Sequence, residues 1–120
     1  MKYIKRFLSA VLVLGLFTQI PSPSSAQEET RTIEIHAHRF SFSPSEITLK
    51  KGEAVKLRLI SDDVTHGLLI PGLQIKQKVS KGHPVEIPIT PNSVGDFRGE
   101  CANFCGSGHG TMLFMAHVKD

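Results

Sequence analysis

Four residues that can bind a soft metal ion lie close together near the carboxyl end of the sequence. Cys101, Cys105, His109 and Met112 all fall in the segment CANFCGSGHGTM, and these two cysteines are the only ones in the chain. Thiolate and thioether groups favour copper(I), whereas imidazole binds copper in both oxidation states. The segment therefore predicts a copper site. The simple alternative is a disulfide between the two cysteines, which export to an oxidising compartment would favour.

The spacing of these donors leaves two kinds of copper site open. A mononuclear blue-copper site would use Cys105, His109 and Met112, and it needs a second histidine from a distant strand end. His66, in the segment DDVTHGLL, is the best candidate because it follows a predicted strand. That arrangement leaves Cys101 without a role. Two thiolates on one loop could instead each bridge two metal ions, with the two histidines closing the ends of the pair.

The complete pattern resembles a known family motif. C-x3-C-x3-H-x2-M, preceded by DVTHG, is similar to the dinuclear copper (CuA) motif of cytochrome c oxidase subunit II, the wider haem-copper oxidases and nitrous oxide reductase. The resemblance implies that the two cysteines bridge two copper ions. It further implies that His66 and Met112 bind one ion, and that His109 and the main-chain carbonyl of Asn103 bind the other. The implied ligand set is His66, Cys101, Asn103, Cys105, His109 and Met112.

The resemblance also implies a function and partners. A CuA domain relays single electrons from a donor such as a c-type cytochrome to a haem-copper oxidase core, with subunit I as the acceptor and a copper chaperone in assembly. The chain alone would carry out no catalysis, although it could be a subunit of cytochrome c oxidase. Asn103 stands where many oxidase subunits have a glutamate that helps to bind magnesium, and the sequence has no tryptophan. A copper-delivery protein and a mononuclear blue-copper cupredoxin are the alternatives.

The segments that must position these residues are predicted to be short strands. Apolar residues alternate with polar ones in TIEIHAH, EITLK, AVKLRLIS and LFMAHVKD, which is the period of half-buried strands. Glycine and proline separate many such segments, and no convincing helix follows residue 26. This pattern predicts an all-β antiparallel sandwich. The resemblance specifies a cupredoxin-like Greek-key fold.

The amino-terminal segment predicts export. Lys2, Lys5 and Arg6 precede an apolar run and the small residues of PSPSSA, the layout of a secretory signal peptide. We expect a signal peptide or short membrane anchor at 1–26, a flexible lead-in at 27–31 and a cupredoxin CuA domain at 32–120. The domain would be periplasmic, either soluble after cleavage or tethered to the outer face of the inner membrane.

Charge gives no indication of a nucleic-acid partner. The chain has 14 Lys and Arg against 11 Asp and Glu, and three of the basic residues lie in the leader, which leaves 11 against 11 afterwards. A formally neutral domain has no basic patch of the kind that binds nucleic acid.

Four further residues have open roles. His36 and His38 share one face of the first strand and could bind a surface metal ion, with a solvated strand face as the simpler interpretation. His117 could lie beside the copper ligands, which the sequence does not decide. Phe104 lies inside the cysteine loop and could shield the site from water.

Overall fold

The structure is a computed structural model that describes residues 12–22 and 29–120. The predicted signal segment at 1–26 falls largely outside the described residues. Its described part, residues 12–22, has no regular secondary structure and is exposed. Among the described residues, no helix combines the length and apolarity needed to span a membrane. The proposed domain boundaries therefore stay a prediction.

The described residues form nine β-strands and two short 3-10 turns. The turns span Pro71–Leu73 and His109–Thr111. The strands are β1 (Arg31–His38), β2 (Ser41–Ser43), β3 (Glu46–Lys50), β4 (Val55–Ser61), β5 (His66–Ile70), β6 (Ile75–Val79), β7 (Val85–Ile89), β8 (Gly95–Cys101) and β9 (Leu113–Lys119).

The strands assemble into two sheets. One sheet has the order β2-β1-β4-β7 and the other has the order β3-β9-β8-β5-β6. The predicted all-β, cupredoxin-like architecture is confirmed. The expected antiparallel arrangement needs correction at two pairings, because β1 pairs with β4 and β3 pairs with β9 in parallel. The physical reason is that strands adjacent in sequence enter different sheets. β3 and β4 flank the turn at Lys51–Gly52, yet they belong to opposite layers.

The core lies between the two sheets and follows the predicted alternation. β4 is alternately buried and half-buried along its whole length, and β9 buries every second residue. Phe42 of one sheet contacts Phe114 of the other, edge to face, with ring centroids 5.8 Å apart. Full burial of a large aliphatic or aromatic side chain contributes about 1.5–3 kcal/mol, and this layer supplies most of the stabilisation. Its aliphatic members with at most 1% exposure are Ile35, Ala37, Leu49, Val55, Leu57, Leu59, Leu68, Ile70, Val79 and Ala116.

Three connections meet at one end of the sandwich. They are the β1–β2 turn, the β4–β5 loop and the β8–β9 loop. The backbone amide of Arg39, in the first, donates to Asp63 Oδ2 of the second at 2.7 Å. The Arg39 guanidinium donates to the carbonyl of Cys105, in the third, at 3.0 Å. One arginine therefore links the two segments that carry the predicted copper ligands.

Candidate metal centre

The predicted ligands come from two strand ends and the loop between β8 and β9. His66 is the first residue of β5, and Cys101 is the last residue of β8. These two strands are neighbours in the sheet, where Leu68 pairs with Cys101. The amide of Cys101 donates to the carbonyl of Met112 at 3.1 Å. This bond closes the base of the loop, so its donors are folded back over the strand ends.

The two cysteine sulfur atoms lie at the middle of the cluster. Their Sγ atoms are 3.8 Å apart, and both cysteines are free and buried. Each sulfur also has a different imidazole beside it. Nδ1 of His66 is 3.9 Å from Cys101 Sγ, and Nδ1 of His109 is 3.7 Å from Cys105 Sγ. The thiols thus stand between two histidines.

Two weaker donors complete the cluster. The carbonyl oxygen of Asn103 accepts from Cys101 Sγ at 3.1 Å, and Met112 Sδ lies 3.3 Å from Cys105 Sγ. The side-chain amide of Asn103 points away and donates to the carbonyl of Thr65. The structure therefore brings together all six residues that the sequence singled out, and it turns the predicted main-chain atom of Asn103 inward.

Burial disfavours the charged form of the Cys105 thiol. His66 and Met112 are fully buried, and the cysteines are 3% and 5% exposed. Burial, together with the hydrogen bond to Cys101, raises the pKa of the Cys105 thiol to about 11. A thiolate in such surroundings is unfavourable unless a cation lies beside it, because the charged form loses its hydration.

Asp63 is a site residue that the sequence analysis missed. Its Oδ1 accepts from Nε2 of His66 at 2.6 Å and from the amide of Val64 at 2.6 Å. Burial alone would raise the pKa of Asp63, but the bonds from the Arg39 amide, the His66 ring and the Val64 amide lower it to about 2. Because a carboxylate can only accept, the bond between Asp63 and His66 places a proton on Nε2 of His66 and orients the ring with Nδ1 facing Cys101. A carboxylate in this position is a common partner of a metal-binding histidine. The only indication of this role in the sequence is that Asp63 lies three residues before His66.

Phe40 supports the β8–β9 loop from the β1–β2 turn. A Cβ added at Gly108 would lie 2.4 Å from the ring of Phe40, and one at Gly106 would lie 2.8 Å from it. Gly106 also has a φ of +139°, which side chains rarely allow. Glycine at these positions lets the loop backbone lie directly on the aromatic ring.

Other predicted residues lie outside the cluster. Phe104, whose shielding role the sequence left open, is 78% exposed and does not cover the site, although its ring lies 5.7 Å from that of His109. His117 bonds to Asp96 at 2.6 Å and makes none of the contacts of the cluster. His36 bonds to Asp62 and Glu34 on the other sheet.

The donor set fits copper. One nitrogen of His66 and the sulfur atoms of Cys101 and Cys105 all lie within 4.8 Å of one another, and all three residues are buried. Two thiols, two imidazoles and a thioether form a soft donor set with nitrogen in it, which suits copper better than magnesium or calcium. Because Asp63 already engages the outer nitrogen of His66, the inner nitrogen is free to bind an ion.

Known proteins share both the sequence and the fold. A family model described as a cupredoxin-like domain matches residues 8–113. A probable cytochrome c oxidase subunit 2 from Streptomyces avermitilis is 41% identical over 70 residues, which are 58% of this chain and 22% of the relative. The chain thus spans about a fifth of that relative's length.

Two solved structures extend the comparison. A heme-copper terminal oxidase dimer contains a chain with a TM-score of 0.68 and 25% identity, covering 78% of this chain and 68% of the other. The periplasmic domain of subunit II of cytochrome oxidase from Bradyrhizobium japonicum has a TM-score of 0.69 and 16% identity, covering 75% and 84%. The predicted resemblance to subunit II is confirmed. Because the family model covers most of the chain and agrees with the observed sandwich, the chain belongs to the family of cupredoxin-like domains.

Proposed function

We propose that this chain is an electron-transfer domain with a dinuclear CuA-type copper centre. Its ligands would be His66, Cys101, the carbonyl of Asn103, Cys105, His109 and Met112. The observation that carries the proposal is the central pair of free thiols, 3.8 Å apart, with a separate imidazole beside each sulfur. A mononuclear site would need only one of these sulfurs, so the second thiol is what favours two ions.

Each donor has a distinct role in this proposal. The sulfur atoms of the two thiols are 3.8 Å apart, and both would hold the pair of ions. His66 and His109 occupy opposite ends of the pair. The carbonyl of Asn103 and the thioether of Met112 are the weak donors, and they lie beside different sulfurs. Copper bound there would accept and release one electron at a time.

The chain contributes rigidity and a dry environment. Asp63 fixes the orientation of His66, and Phe40 supports the loop that holds most of the other donors. Ligands held in this way move little when the charge of the site changes, and burial limits the access of water. His109, which is partly exposed, offers a path by which an electron could reach the surface.

We further propose the partners and location that the sequence resemblance implies. The donor would be a c-type cytochrome and the acceptor subunit I of a haem-copper oxidase, with loading by a copper chaperone in the periplasm. Support comes from the relative named cytochrome c oxidase subunit 2 and from the structural neighbour described as a periplasmic domain. Reduction of the copper-loaded chain by ferrocytochrome c, followed by stopped-flow absorbance, tests the donor. If the copper-loaded chain is not reduced on mixing, a c-type cytochrome is not its donor.

Copper content and electron paramagnetic resonance test the centre. The expected result is two copper ions per chain, with the unpaired electron split equally by both nuclei. Cys101→Ser should destroy this signal, whereas Ser107→Ala, an exposed position in the same loop, should preserve it. One copper ion with single-nucleus splitting that survives Cys101→Ser would indicate a mononuclear site. Copper(I) that binds and leaves without reversible redox cycling would indicate delivery.

A further inference from the structure

A second group of metal-binding side chains lies on the four-stranded sheet. His36 and His38 are alternate residues of β1, so their side chains leave the same face of the strand. Asp62 follows the last residue of β4, the parallel neighbour of β1, and its amide donates to the carbonyl of Ala37 at 2.9 Å. This bond fixes Asp62 between the two histidines. None of the three belongs to the cysteine-containing cluster.

The three side chains converge on one another. Nδ1 of His36 lies 2.8 Å from Oδ1 of Asp62, and Nδ1 of His38 lies 3.9 Å from Oδ2 of the same carboxylate. Adjacent donor atoms in a tetragonal copper(II) site are separated by about 2.8 Å. The separation between His36 and Asp62 matches that value, whereas Nδ1 of His38 is farther from the carboxylate and would have to move closer. The histidines face different oxygens of Asp62, so the exposed side chains would have to rotate for all three donors to bind one ion.

The outward-facing nitrogen of each histidine is already engaged. Nε2 of His36 bonds to Glu34 at 2.8 Å, and Nε2 of His38 bonds to the hydroxyl of Ser41 at 2.7 Å. Outer hydrogen bonds of this kind orient the ring of a metal-binding histidine and select the nitrogen that faces the ion. An ordinary ion pair would account for His36 alone. It would not require a second ring held with its Nδ1 toward the same carboxylate.

We propose that His36, His38 and Asp62 form a surface site for a divalent transition-metal ion, with Cu²⁺ preferred over Zn²⁺. Two imidazoles and a carboxylate without sulfur suit the divalent ions, and copper(II) is bound more tightly than zinc by a given set of such ligands. The three side chains are 38%, 39% and 45% exposed, so an ion can reach them from solvent. Three protein ligands leave a fourth position for water. This site is independent of the thiol-containing centre.

The test uses the full chain with Cys101→Ser and Cys105→Ser, which removes the thiols that would bind or reduce copper. Titration with Cu²⁺, followed by electron paramagnetic resonance and calorimetry, should show one equivalent that is lost when His36→Gln and His38→Gln are added. His83→Gln, at an exposed position elsewhere, is the matched control and should keep that equivalent. Equal binding with and without His36 and His38 would overturn the proposal.

A second measurement keeps all histidines in place. In the nuclear magnetic resonance spectrum of the same double-serine chain, substoichiometric Cu²⁺ should broaden the ring signals of His36 and His38 before that of His83. Uniform broadening of all histidines would mean adventitious binding and would contradict the site. Ser41→Ala should weaken Cu²⁺ binding by roughly 10–100-fold, the usual effect of losing an outer hydrogen bond. If the serine pair does not fold, Cys101→Ala with Cys105→Ala replaces it.

Discussion

The contact between Gly108 and Phe40 gives a sharp test of how the ligand loop is supported. A Cβ added at Gly108 would lie 2.4 Å from Cγ and Cδ2 of Phe40 and 3.0 Å from its Cβ. Rotation of the ring about the Cβ–Cγ bond leaves Cγ where it is, so the overlap cannot be relieved by that rotation. Relief requires either a different χ1 rotamer of Phe40, whose ring packs against the core, or a movement of the loop or of the β1–β2 turn.

The expected cost follows from this overlap. Overpacking by one methyl group in a tight contact costs about 1–3 kcal/mol, so Gly108→Ala should lower the free energy of unfolding by that amount. Gly110→Ala is the matched control, because nothing lies within 4 Å of its added Cβ. At an unstrained position that substitution is neutral or stabilises by about 0.4–1 kcal/mol.

A double-mutant cycle identifies the cause. Urea denaturation of the metal-free chain with reduced thiols gives the free energy of unfolding for Gly108→Ala, Phe40→Ala and the pair. Because Phe40→Ala removes the ring atoms that overlap, adding Gly108→Ala in that background should cost little. The coupling energy should be about 1–3 kcal/mol. An undiminished cost in the Phe40→Ala background, or equal effects of Gly108→Ala and Gly110→Ala, would refute the reasoning.

Three further predictions concern other contacts. Asp63→Asn should destabilise the metal-free chain by about 1 kcal/mol at neutral pH. The pKa of Asp63 is lowered to about 2, so this stabilisation is present above the usual pKa of a carboxyl group and disappears as pH falls through about 2. Denaturation of both chains at neutral pH and near pH 2 measures the loss. Met112→Leu should lower the free energy of unfolding by less than about 1.5 kcal/mol, and Met112→Ala should lower it by about 2–5 kcal/mol. Both substitutions remove the thioether, so voltammetry of the copper-loaded variants should show a shifted reduction potential for both. The hydrogen bond to Asp96 raises the pKa of His117. The stabilisation from this pair is therefore present below the ordinary pKa of histidine and is lost as pH rises through the raised pKa. A nuclear magnetic resonance titration should show a lower pKa for His117 in Asp96→Asn.

Most strands were predictable because each buries one face. The alternation of apolar and polar residues in β1, β4 and β9 identifies the buried face, and the buried residues are those expected. Strand direction was not predictable, since an alternating pattern reads the same for a parallel and an antiparallel neighbour. The pairings of β1 with β4 and of β3 with β9 therefore emerged only from the structure.

The ligand set was predictable to a similar degree. Cys101, Cys105, His109 and Met112 lie on one short loop, so their spacing alone brings them together. His66 was a candidate because it follows a predicted strand, and the resemblance specified it as a ligand. Its closeness to Cys101 depends on the pairing of β5 with β8, which the sequence pattern does not reveal. Asp63 was missed because its role depends on how the β4–β5 loop bends back onto His66.

The location of β9 has a consequence for the order in which the molecule can be built. β9 lies between β3 and β8 in the five-stranded sheet, and it directly follows Met112. During folding, β9 must pair with β8 before the ligand loop has both of its anchors. Until then β3 and β8 lack their shared neighbour, and the thiols of Cys101 and Cys105 are not yet enclosed. The thiol pair is therefore enclosed only once β9 has paired with both neighbours, and its pairing with β3 joins segments that are distant in sequence, which is a slow kind of contact to form.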